Sequence, residues 1–134
     1  MADTPAIQPK PMDPANGFGI GVSTLCILHC LATPFLAAAI PAVAWIENEW
    51  AHIILAGFAI LFVVLAMPKW PGGTFGLGLR VVGLLAVATL MGAAFAEIGE
   101  TAERVVTVIA ASVLALTHIV GHSAAMRRAR VGAA

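Results

Sequence analysis

The sequence predicts an all-α protein, a four-helix transmembrane bundle with both termini cytoplasmic, and three observations predict it. Hydrophobic residues make up 60% of the 134 residues and charged residues only 10%, against about 25% charged in a soluble domain. The apolar residues fall into four long runs separated by turn signals. Basic residues gather at one end of those runs, as they do on the cytoplasmic side of membrane helices. Seven basic residues cancel seven acidic ones, so there is no electrostatic footprint for a nucleic acid. An apolar content this high also excludes a disordered chain.

Residues 1–16 carry prolines at positions 5, 9, 11 and 14 and read as a mobile N-terminal tail. The membrane domain follows over residues 17–126. Its first span lies in residues 17–46, which contain no Asp, Glu, Lys or Arg. Ala42-Val43-Ala44 resembles a signal-peptide cleavage site, but the apolar core of a signal peptide is only about 7–15 residues, so the run is read as a span. The second span, residues 51–67, closes on Pro68-Lys69-Trp70-Pro71-Gly72-Gly73, whose prolines and glycines end a helix and turn the chain. The third, residues 75–96, is broken only by Arg80, whose long side chain reaches the headgroups. The fourth is residues 105–125, and residues 127–134 form a basic tail with Arg127, Arg128 and Arg130.

Four spans return the chain to its starting side. Lys10, Lys69, Arg80 and the three terminal arginines then share one side and Arg104 alone takes the other, which makes the first side cytoplasmic. Glu47, Glu49, Glu97, Glu100 and Glu103 fall at the outer end, where acidic side chains attract cations. Trp45 and Trp50 flank the outer turn and Trp70 the inner one, as interfacial aromatics. Gly17, Gly19 and Gly21, like Gly92 and Ala96, are small residues that let membrane helices approach.

The chemistry concentrates in Leu25-Cys26-Ile27-Leu28-His29-Cys30-Leu31-Ala32-Thr33-Pro34. At about 100° per residue Cys26, His29 and Cys30 share one helical face, and thiolate with imidazole selects soft or borderline metals. A Cys26–Cys30 disulfide on an intact helix is disfavoured by geometry. Pro34 lacks the amide hydrogen that would bond the Cys30 carbonyl. That carbonyl is expected to be met by Thr33, a neighbouring helix, water or an ion, and the span to kink. His118 and His122, one turn apart in the fourth span, share a face, and His118 is expected at a depth close to Cys26 and His29. His52 opens the second span, and Glu97 and Glu100, three residues apart, are candidates for a secondary ion-collecting site at the outer mouth.

That cysteine–histidine–proline segment, together with the histidine opening the second span and Leu114-Ala115-Leu116-Thr117-His118, resembles the MerC family of small bacterial mercury-transport membrane proteins over roughly residues 17–128. The resemblance implies a multi-pass protein of the bacterial inner membrane that takes up mercuric ion, with Cys26 and Cys30 as its carrier ligands. Mercury-resistance members carry a further cysteine pair toward the C-terminus, and residues 127–134 hold none.

The expected function is therefore binding and transport of mercuric ion or zinc, with no catalysis and no resident cofactor. The partners are the metal ion and the lipid bilayer; so small a bundle is also compatible with a homo-oligomer. Two other readings use the same residues: a b-type haem electron carrier with His29 and His118 as axial ligands, and an accessory subunit of a larger transporter. A thiol–quinone oxidoreductase is disfavoured by the lack of a second cysteine pair to relay electrons.

Overall fold

Asp13 and Pro14 start the first helix: the Asp13 carboxylate accepts a hydrogen bond from the Ala15 amide at 3.0 Å, and Pro14 occupies the first turn, where its missing N–H costs nothing. The computed structural model describes residues 12–40, 49–96 and 98–131. In it the helices follow in the order α1 Pro14–Ala39, α2 Glu49–Ala66, α3 Gly73–Phe95 and α4 Glu100–Val131, with a 3₁₀ turn Met67–Lys69 after α2. All four helices are long and apolar enough to cross a membrane. No strand occurs among the described residues. Lys10, Pro41, Trp45, Glu47 and Glu97 lie outside them.

Two boundaries differ from the sequence reading. Asn16, placed there in the tail, is 2% exposed inside α1. At the other end, α4 absorbs the three arginines and runs on to Val131, since cations suit the C-terminal end of a helix dipole and anions its start. Glu100 and Glu103 occupy the first turn of α4, Gly99 before them takes the positive φ of 86°, and Arg104 pairs with Glu100 one turn back. α1 also runs through Pro34 without a break, and the Thr33 hydroxyl donates to the carbonyl of His29 rather than that of Cys30.

α2 and α4 each pack against both α1 and α3, so the helices form a closed ring of antiparallel neighbours. Polar contacts tie both ends. At one, Lys69 bonds Asp13 at 2.7 Å and Arg128 donates to the Gly72 carbonyl at 3.1 Å. At the other, His52 meets Glu103 at 2.7 Å. The hydrogen bond from Lys69 holds the Asp13 carboxyl below its ordinary value. The pair's stabilisation is thus complete above that ordinary value and is lost as pH falls through the lower, folded one.

The bundle is built inside out relative to a soluble protein. Alanines 56, 59, 66, 86, 93, 110 and 111 fill its core, whereas Phe18, Leu25, Leu28, Phe35, Leu85 and Ile109 point outward. Lipid solvates large apolar side chains as well as a core does, so helices associate through small residues that bring their backbones together. Not every glycine serves that end. A Cβ at Gly21 or Gly92 would meet nothing, but one at Gly19 would strike the His118 imidazole, and one at Gly121 would come within 2.7 Å of the Trp70 ring. Trp70 is therefore no interfacial aromatic: it is 3% exposed, wedged between α3 and α4 against Gly83 and Gly121.

Gly19→Ala should destabilise the purified protein by about 1–3 kcal/mol, the usual result of overpacking. Gly21→Ala should be neutral or stabilising, because only helix propensity changes there. Unfolding in a denaturing detergent series measures both, and equal behaviour of the two variants would contradict the packing described.

Candidate metal-binding site

One face of α1 carries Asn16, Gly19, Ser23, Cys26, Cys30 and Thr33, all buried. The alternating spacing of three and four residues keeps them in a single stripe along the helix. Where a membrane helix faces its neighbours through such residues, their polar atoms need partners within the bundle.

Cys26 and Cys30 are free thiols, each 3% exposed. Both border a cavity of about 10 Å³, whose wall also includes His52 and Ala56 from α2, Leu90 from α3 and Thr107 from α4. That volume holds about one water or one ion. His52 is fixed from its far side by Glu103. A carboxylate at Nδ1 stabilises the Nδ1–H tautomer and leaves Nε2 as an acceptor, an arrangement that orients imidazoles toward metals.

His29 is half-buried and sets its ring perpendicular to that of His52, with centroids 5.3 Å apart. The cavity wall thus draws its imidazole from α2 rather than from His29. Glu100 is exposed and pairs with Arg104, one turn before Glu103. Its companion in the sequence reading, Glu97, lies outside the described residues.

His118 is placed elsewhere. It is wholly buried beside Gly19 and Asn16, and seven residues separate Gly19 from Cys26, about 10 Å along the helix. The expectation of a depth shared with the thiols is therefore corrected. Counting inward from the cytoplasmic boundary misjudged the offset, because α4 does not end near residue 125 but runs on to Val131. The same offset, ten residues or about 15 Å between Gly19 and His29, keeps His29 and His118 from facing each other across a single haem iron. His122 borders a separate cavity of about 350 Å³ at the Asp13–Lys69 end, together with Met12 and Met126.

Among the described residues, no three His, Cys, Asp or Glu side chains form a preassembled metal cage. What the fold does bring together is two thiols and one oriented imidazole around a single small cavity. Asn16 and Trp70, both buried, were not foreseen as site residues. The N-cap signal of Asp13-Pro14 would have placed Asn16 inside the first helix.

Four apolar helices around a buried pair of thiols define a small multi-pass membrane protein. Residues 16–123 match the family described as MerC mercury resistance protein. The chain belongs to that family, as the resemblance of its first-span segment suggested. Comparison with curated proteins and with solved structures gives no match.

The enclosed position of the thiols sets their reactivity. In the folded protein a bulky maleimide should label Cys26 and Cys30 slowly, and unfolding in dodecyl sulfate should release two reactive thiols per chain. Rapid labelling of both in the native state would contradict their placement.

Proposed function

We propose that the protein moves mercuric ion across the bacterial inner membrane, and that Cys26 and Cys30 are the ligands that receive it. The observation that carries this reading is the one-ion cavity bordered by both thiols, in a chain of the mercury-resistance family. Thiolate is the softest ligand a protein offers, and mercuric ion is satisfied by two of them in a line. Zinc ordinarily takes four ligands, which two thiols and one imidazole do not complete. The geometry therefore favours mercury over zinc.

The positive-inside rule puts the Lys69 and Arg128 end in the cytoplasm and the His52–Glu103 end outside. An arriving cation meets Glu100, Glu103 and His52 before the thiols, and the Cys30 position lies nearer the outer end of α1 than the inner. Thiols must lose their protons to bind. Capture should therefore release protons and strengthen as pH rises. Glu103 acts through His52: with its carboxylate in place the imidazole presents an unprotonated Nε2 toward the cavity, as a third, weaker donor.

Purified protein should retain one mercuric ion per chain, measured by elemental analysis after desalting. Cys26→Ser with Cys30→Ser should abolish that retention, and unchanged retention would defeat the assignment. Glu103→Gln should weaken binding by roughly 10–100-fold, the usual effect of removing a partner that orients a metal-binding histidine. Competition against a small thiol measures this effect, and an unchanged affinity would remove His52 from the site.

A further inference from the structure

Among the described residues, three buried side-chain atoms have no hydrogen-bond partner: Ser23 Oγ, His118 Nε2 and Arg80 Nε. A hydroxyl and an imidazole can stay neutral. A guanidinium cannot, because it keeps its proton in any protein. Arg80 lies within α3, seven residues after its first residue, Gly73, which is about 10 Å along the helix. A charge at that depth in a span needs a partner of opposite sign or a way out to the headgroups.

The way out follows from the helix. Long side chains lean toward the N-terminus of their helix, which for α3 is the end where Lys69 and Arg128 stand. Gly76 and Gly73 lie one and two turns back from Arg80 on the same face, and neither puts a side chain in the path. The turn before α3 folds over this face, since the Pro71 carbonyl occupies the place that a Cβ of Gly76 would take. Beside Gly73 the space is open. Arg80 is half-buried as a whole. Its Nε is enclosed and its two terminal nitrogens are not, as in a side chain whose stem is covered and whose tip reaches the interface.

No carboxylate of the described residues answers that tip. Asp13 is the one acidic residue among them at this end, and Lys69 holds it at 2.7 Å. Glu49, Glu100 and Glu103 belong to the opposite end. Arg128 donates to the Gly72 carbonyl just before α3, and Arg127 and Arg130 are exposed. Lys69, Arg80, Arg127, Arg128 and Arg130 therefore face a single carboxylate.

We infer that Arg80 holds the phosphate of an anionic phospholipid of the cytoplasmic leaflet, and that the three arginines of α4 draw such lipids to this end. A guanidinium fork matches a phosphate in bidentate fashion, and the headgroup phosphate is the anion a bilayer supplies at this depth. Basic residues clustered at the cytoplasmic end of a span attract anionic lipid in the same way. The inference uses neither thiol and stands apart from the mercury reading. A lipid held there ties the turn between α2 and α3 to the leaflet.

The test uses the full chain in an uncharged detergent, with phosphatidylglycerol titrated into the micelles and native mass spectrometry counting the lipid retained. Phosphatidylglycerol should bind at least tenfold more tightly than phosphatidylcholine of the same acyl chains, whose choline cation sits beside the phosphate. Arg80→Gln should weaken its retention by about tenfold or more, the usual loss for a charge-assisted hydrogen bond. Arg80→Lys, which keeps the charge but not the fork, should weaken it several-fold, and excess inorganic phosphate should not displace the lipid. Equal affinity for the two lipids, or undiminished binding by the Arg80 variants, would overturn the inference. A larger loss from Arg127→Gln with Arg130→Gln would move the site to α4 and overturn it as well. Displacement by inorganic phosphate would assign the site to a free anion instead of a lipid. If circular dichroism shows that Arg80→Gln does not fold, Arg80→Lys alone decides.

Discussion

A bilayer offers no water to a polar atom, so each polar side chain within a span must find its partner in the bundle or hold one in from outside. Most of this protein obeys by simple means. Its lipid-facing hydroxyls turn back on their own helices, and its core is mostly alanine with a few larger apolar side chains such as Val63, Leu90 and Leu114. The exception is the stripe on α1 from Asn16 to Thr33, where an amide, two hydroxyls and two thiols face inward together. A purely structural bundle would have filled those positions with alanine. Their presence organises the rest: glycines make room for His118 and Trp70, and the ends are tied by Asp13–Lys69 and His52–Glu103.

The stripe is graded along its length. Toward the His52 end it offers thiols and an imidazole held by a carboxylate; toward the Lys69 end it offers an imidazole held by a neutral amide. On the thiol reading proposed above, the Glu103 carboxylate beside His52 attracts the cation that the thiols capture.

Much of this was legible in the sequence. Composition and the four apolar runs gave the helices, since length and hydrophobicity alone decide what can span a membrane. Cys26 and Cys30 could be assigned to one face because they lie one turn apart. What sequence could not supply was relative depth between helices. His118 seemed level with the thiols only while the fourth span was taken to end near residue 125 on the cytoplasmic side, whereas α4 runs on to Val131. Trp70 looked interfacial because tryptophan near a turn usually is; its burial depends on glycines at 83 and 121, two positions on other helices. His52 was visible as a candidate, yet its pairing with Glu103 joins residues 51 apart, and no local pattern announces such a contact.

The central claim, that the paired first-span thiols hold the ion, is tested most directly by X-ray absorption at the mercury edge on the loaded protein. The account predicts two sulfur neighbours at bonding distance in the unaltered chain, and one sulfur fewer after Cys30→Ser. A spectrum of the unaltered protein with only nitrogen or oxygen neighbours would contradict it.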